Sequence, residues 1–499
     1  MAQDSTPATH TLSARASRGF AWMLVQTLGS KIAGFVSQVF LARLLMPKDF
    51  GLVAIAYIAA SLPTVLRQTG VPQILIQKGD RFDRWANSAF WMEMATGGVA
   101  TLMVLAAAPI AAWAYHAPEL AGLLIVISAF TGLSALGTVP TAKMSRDLRF
   151  RELALLGAGT NVLAAAISVA CAFSGLGAYS FVIPMPICMG LRAIAAWWLA
   201  PVRVRWQPQL YRWWAMAADS GRLMVVGLCY LVQVQADKLA LSIWHGKATL
   251  GRYFFATNLS SQIVQLLALN LGSVLFPVLS TLKEDTPRQV AAYLRASRAL
   301  ALAGVPICLA EVVLARPIIL VIFGPKWIAA AAVLQVAALA AGVQLAGSSA
   351  ANLLQAQGRF HAAMLWSLAS AATFTVLVFL CSFSGGAVLV AVGGAVCALL
   401  VIPAQMLSAI RPGAGRAGDV ASVYLPPLFL SVLALAPVGL LEVFVPWFDH
   451  HAAVTLVLGA IVTPAIYLPL AWTLRRAEMG ELLRHAGPIG RVLRRAGFS

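Results

Sequence analysis

The chain has 499 residues, of which 60% are hydrophobic and 11% charged, and its formal net charge is +18. A soluble domain carries about 25% charged residues, so this composition cannot furnish a water-facing surface and excludes a soluble globular fold. Apolar runs of about 20 residues recur along nearly the whole length, the pattern of an all-α polytopic membrane protein.

Residues 1–18 are polar and read as a cytoplasmic N-terminal tail; the span after them is too long for the apolar region of a signal peptide. Spans are predicted at 19–42, 50–77, 86–114, 119–142, 152–173 and 177–200, forming an N-lobe over 19–201. Residues 202–219 combine arginine with tryptophan, which suits a headgroup layer, and read as a cytoplasmic interfacial linker. A C-lobe over 220–411 follows, with spans at 220–244, 250–280, 296–315, 328–356, 361–382 and 387–410. Two appended spans, 420–441 and 453–474, occupy 412–474, and 475–499 is a basic cytoplasmic tail that is either solvated or bound to anionic lipid. Prolines fall inside many spans: Pro63, Pro109, Pro140, Pro184, Pro277, Pro306, Pro403 and Pro464.

About fourteen spans put both termini on one side. That side holds most of the Arg and Lys, leaving Arg43, Lys48, Lys247, Arg252, Arg316 and Lys326 for the other. The positive-inside rule therefore places both termini in the cytoplasm. The basic excess is a topology signal, and no nucleic-acid partner is expected. The six cysteines fall in apolar spans as small packing residues, with no metal or disulfide spacing.

The sequence also repeats itself. Leu41–Gly51 (LARLLMPKDFG) returns as Leu241–Gly251 (LSIWHGKATLG), and Leu148-Arg149-Phe150 as Gly358-Arg359-Phe360. Ala108-Pro109-Ile110 returns as Arg316-Pro317-Ile318, and the Cys171–Gly175 segment as Cys381–Gly385. The echoes keep their order at an offset of about 200 to 210 residues, as in a transporter built from two parallel halves.

Ionisable residues inside spans are expensive and should face a cavity or a partner. Lys31 shares a small and polar stripe with Thr27, Gly34 and Gln38; it either lines a cavity or sits in a helix seam paired with Glu93. Arg67 lies between Pro63 and Pro72, where the helix can open, and Arg192 is near enough to the surface to snorkel. In the second half Gln233 and Asp237 share a helix face, with Lys238 about 100° away. Asp237 is a coupling-ion candidate, for H+ or Na+, while Glu311 near the outer end of its span reads as structural. Lys31, Arg67 and Arg192 against Glu93 make a cationic first half suited to an anionic substrate, most simply a phosphate group. There is no Gly-rich phosphate loop with Lys-Ser/Thr, no His/Cys cluster and no long outer loop for paired carboxylates. No enzymatic activity, metal or cofactor is expected.

Leu41–Gly51 resembles the first loop of the Wzx-type polysaccharide flippases of the multidrug/oligosaccharidyl-lipid/polysaccharide exporter superfamily. Gly70–Gln77, Ser145–Phe150, Arg316–Trp327 and Leu353–Phe360 resemble its other recurrent patches, and the likeness covers roughly residues 15–410. The family often has an acid before the glycine of the second loop, where this chain has Gln68-Thr69-Gly70. The resemblance implies two six-helix lobes around a cavity and alternating access. The implied substrate is an undecaprenyl-pyrophosphate-linked oligosaccharide for exopolysaccharide, capsule or lipopolysaccharide, and Lys31 and Arg67 are placed to bind its pyrophosphate. Polymerase and export machinery would be partners. Rival readings are a peptidoglycan lipid-precursor flippase, a cation-coupled drug exporter, and a membrane polysaccharide polymerase or ligase.

Overall fold

The computed structural model describes residues 26–27, 29–67, 71, 75, 82–206, 210–445 and 451–475, with some side chains in four long helices left aside. The 1–18 tail, nearly all of 475–499, and Gln68-Thr69-Gly70 lie outside them. The described residues are helical throughout, with no strand among them. Eleven of their helical segments are long and apolar enough to cross a membrane. The chain divides into two compact units, Met1–Leu231 and Val232–Ser499.

In the first unit, α1 (29–44) is followed by α2 (Pro47–Arg67), α3 (Phe82–Ala114), α4 (Glu119–Leu136), α5 (Thr138–Arg146), α6 (Phe150–Phe173), α7 (Tyr179–Val182) and α8 (Pro184–Leu199). The start of α2 is written in its residues. Pro47 presets the helical φ at the first position, and the Asp49 carboxylate accepts from the Met46 backbone N–H at 2.8 Å. The packing partner of α3 is α4, and small residues let them close. A Cβ at Gly97 would meet Ala135 Cβ at 2.8 Å, so this crossing requires glycine.

Then α9 (Leu210–Trp244) leads into the second unit, which continues with α10 (Lys247–Thr281), α11 (Thr286–Val313), α12 (Ala315–Ile318), α13 (Ala331–Gly347), α14 (Ala350–Ala356), α15 (Phe360–Ser384), α16 (Ala387–Ile410), α17 (Ala417–Phe444) and α18 (Ala452–Leu474). Here α11 is the hub, packing on α10, α13 and α17, while α18 closes against α17. The core between them includes Leu279, Tyr293, Leu354, Met406 and Ile410.

Several spans differ from expectation in their ends. The seventh begins at Leu210 and not at 220, and the described residues 201–206 of the Arg/Trp segment lie outside any helix. The expected 119–142 and 328–356 helices are each broken, at Gly137 and at Ser348–Ser349. Pro184 starts a helix, because a ring with no N–H suits the first turn. Pro63, Pro109, Pro306, Pro403 and Pro464 stay inside helices.

Polarity is turned inside out relative to a water-soluble protein. Ile32, Val36, Phe40 and Leu44 form an exposed i, i+4 ridge on α1, and Val376, Leu380 and Phe383 do the same on α15. Inward hydroxyls bond their own helix: Thr131 donates to Ile127 O at 3.0 Å and Ser431 to Pro427 O at 2.6 Å. In lipid there is no water to satisfy them otherwise.

Two corners share one backbone geometry. After α5, Leu148 (φ 54) turns left-handed and Arg149 (φ −81, ψ 52) opens α6. After α14, Gly358 (φ 76) does the same and Arg359 (φ −86, ψ 52) opens α15. Each arginine sends Nη1 to a carbonyl, Leu199 O at 2.6 Å and Ser408 O at 2.9 Å, which lie 50 and 49 residues further along. The backbone N–H groups of Arg149 and Arg359 also match, donating to Met144 O and Leu354 O, both at 2.9 Å.

Candidate functional site

Two of the buried carboxylates are paired with a cation, one in each unit. In the first unit, α2 ends in Arg67, and α3 presents Glu93 toward it. Arg67 Nη1 lies 3.6 Å from Glu93 Oε2, with the two side chains 18% and 3% exposed. Gly97, one turn beyond Glu93, lies beside the aliphatic part of Arg67: a Cβ there would be 4.0 Å from Arg67 Cδ. Arg67 Nε has no hydrogen-bond partner. The guanidinium is therefore partly compensated and partly unspent, the state of a group that can hold a second anion.

Lys31 stands half-buried on α1, with Thr27 and Gln38 half-buried and Gly34 exposed on the same stripe. The polar seam with α6 is made by neighbouring positions. Asn161 Nδ2 donates to Ser30 Oγ at 2.9 Å, and Ser37 Oγ to Ala165 O at 3.5 Å. Positions 30 and 37 therefore face α6, and the Lys31 stripe flanks that seam. Arg192 is half-buried on α8, between lipid-exposed Leu191 and Ile194; a long side chain there can run to the surface.

The second pair is closed on itself. Asp237 of α9 is 6% exposed and accepts from Tyr253 Oη of α10 at 2.9 Å and from the Lys238 backbone N–H at 2.8 Å. Lys238 Nζ reaches Asp237 Oδ1 at 3.2 Å and Val234 O at 2.5 Å. The 100° between adjacent residues left such a pair open, and the lysine stem is long enough to curl back over it. Gln233 turns elsewhere, toward Ser367 O of α15 at 3.4 Å. The offset of the repeat sets Ser37, Gln38 and Val53 where this unit has Asp237, Lys238 and Tyr253. The triad thus belongs to one half alone.

Sequence reasoning missed Tyr253 as a partner for Asp237. The signal was there: a tyrosine directly after an arginine, where the echo has valine. Among the described residues no group of three His, Cys, Asp or Glu side chains could hold a metal ion.

A family profile described as "Polysaccharide biosynthesis protein" matches residues 40–332. The chain is 24% identical to the succinoglycan biosynthesis transport protein ExoT of Rhizobium meliloti (strain 1021), over 95% of this chain and 96% of that one. It is 21% identical to the teichuronic acid biosynthesis protein TuaB of Bacillus subtilis (strain 168), over 70% and 72% of the two chains. Among solved structures, the inward closed conformation of the lipid II flippase MurJ superposes with a TM-score of 0.73 at 12% identity, covering 91% of this chain and 98% of that one. The last likeness establishes the fold.

Proposed function

Because this chain belongs to the polysaccharide biosynthesis protein family, we propose that it is a flippase, carrying a polyprenyl-pyrophosphate-linked oligosaccharide across a bacterial inner membrane by alternating access. The observation that carries the reading is the end-to-end likeness to a succinoglycan transport protein, joined to the fold of a lipid-precursor flippase. The product pathway is exopolysaccharide, capsule or lipopolysaccharide, and a polymerase and export machinery take over the flipped unit.

In this reading the chain has fourteen spans, two parallel six-helix lobes and two appended helices, with both termini cytoplasmic. The matching corners at Arg149 and Arg359 support a parallel repeat, and the Arg/Lys bias supports the orientation. Lys31 and Arg67 bind the pyrophosphate, which every donor lipid of this type shares. Arginine supplies a planar fork for phosphate oxygens and lysine a point charge. The unpartnered Nε of Arg67 supports this assignment. Arg192, Gln38, Gln233 and the Asp237–Lys238 pair are secondary candidates, and the driving force is H+ or Na+. No covalent step is needed, since substrate and product differ only in the leaflet that holds the headgroup.

The test is complementation of surface polysaccharide in a strain lacking the protein, with abundance followed by blot. Lys31→Ala and Arg67→Ala should each cut export, and Lys31→Arg should retain more activity than Lys31→Ala. Full export by the double alanine variant at normal abundance would move the binding site elsewhere. Loss of viability on depletion would favour the peptidoglycan-precursor reading, and efflux of a lipophilic cation a drug exporter.

A further inference from the structure

Among the described residues three carboxyl side chains are buried, Glu93, Asp237 and Glu311. Two of them have a cation beside them, Arg67 and Lys238. Glu311 makes no ion pair with any described residue. It lies in the last turn of α11 at 7% exposure, and its Oε2 has no hydrogen-bond partner. Glu311 thus stands at the end of its span, as its place in the sequence suggested, and it is buried there; the chain continues past Val313 into α12.

The surroundings are nearly uncharged. From α10 the Ser260 hydroxyl faces the carboxyl, and its Oγ completes no hydrogen bond either. Cys308, one turn earlier, is the titratable group nearest along α11. The α13 helix brings no ionisable residue. Lys247 and Arg252 of α10 and Arg316 of α12 are not paired with Glu311, and Arg252 Nε is itself without a partner. Tyr253 is bound to Asp237, Tyr424 of α17 to Val343 O and Tyr467 of α18 to Leu302 O. Asp419 of α17 pairs with Arg298 of α11, and Glu442 lies in the last turn of α17.

An isolated carboxylate cannot stay in such a place; it must take up a proton or a cation. A metal cation would want several oxygens around it, and here one hydroxyl and one carboxyl face each other. A proton needs only the carboxyl. We propose that Glu311 is a proton-carrying residue of the transport cycle: it holds a proton while sealed against Ser260, and gives it to water when the α10–α11 seam opens. This rests on the transport reading above, but its first test does not depend on any sugar substrate.

That test is an infrared pH titration of the purified full-length protein in liposomes. Wild-type protein should show a protonated-carboxyl carbonyl band that Glu311→Gln lacks and that the solvent-side control Glu284→Gln keeps. A band unchanged in Glu311→Gln would overturn the proposal. So would loss of the wild-type band on adding sodium at fixed pH, because the occupant would then be a metal ion. In the complementation assay Glu311→Gln should fall to background export at normal abundance, with Glu311→Asp retaining part of it. Full export by Glu311→Gln would also overturn the proposal, and would leave the flippase reading intact.

Discussion

Breaking the Arg67–Glu93 pair separates a structural ion pair from a substrate-binding arginine. At 3.6 Å and an effective dielectric of about 20, the Coulomb attraction is roughly 4–5 kcal/mol before desolvation. Removing one member of a buried pair costs about 3–5 kcal/mol, because the other charge is stranded. Arg67 keeps 18% of its exposure and Glu93 only 3%. Glu93→Gln should therefore fall at the low end, about 3 kcal/mol, and Arg67→Met near the high end, about 4 kcal/mol. The double variant should cost less than either single one, since two neutral side chains leave nothing stranded. The assay is chemical unfolding in detergent, followed by tryptophan fluorescence, with all four proteins compared as a cycle. Costs that simply add would refute the pairing argument. Export then decides the function: if Arg67 binds pyrophosphate, the double variant regains stability without regaining export.

Three further outcomes follow from the geometry. Asp237→Asn keeps a partner for Tyr253 but deprives Lys238 Nζ of its carboxylate; the unfolding assay should read a loss of about 1.5–3 kcal/mol, the value of hydrogen bonds to charged groups. Gly358→Ala puts a Cβ on a left-handed residue at φ 76, and should cost about 1–2 kcal/mol in the same assay. Reporter fusions after Arg476 should show cytoplasmic activity and those near Asp449 periplasmic activity, which checks the orientation taken from the charge bias.

Much of the fold was legible because each layer leaves its own periodic mark. Long apolar runs gave the helices, and the echo of Leu148-Arg149-Phe150 in Gly358-Arg359-Phe360 fell on two corners of matching geometry. Helix ends were less legible. The Arg/Trp segment after Pro201 has the composition of an interfacial strap, yet from Leu210 it also has helix-forming content, and the helix wins. Buried charges were legible as a set, since few ionisable residues occur within apolar runs, but their partners were not. Glu93 meets Arg67 and Asp237 meets Tyr253 through helix crossings that one sequence does not encode locally. The Asp237–Lys238 pair stayed open from the angle alone, because rotamers decide where a long side chain ends.

The two arginine-tied corners restrict where either half can flex. Each fixes a left-handed turn, a helix start and a distant carbonyl with one side chain, so any deformation through it would break several bonds at once. Bending is cheaper at interior prolines, where a carbonyl is already released: Pro63 on α2, Pro306 on α11, Pro403 on α16 and Pro437 on α17. The corners are thus stiff joints and the prolines the yielding ones. Cross-links placed across the former should be silent, while those that brace the latter should stall the cycle with the protein still folded.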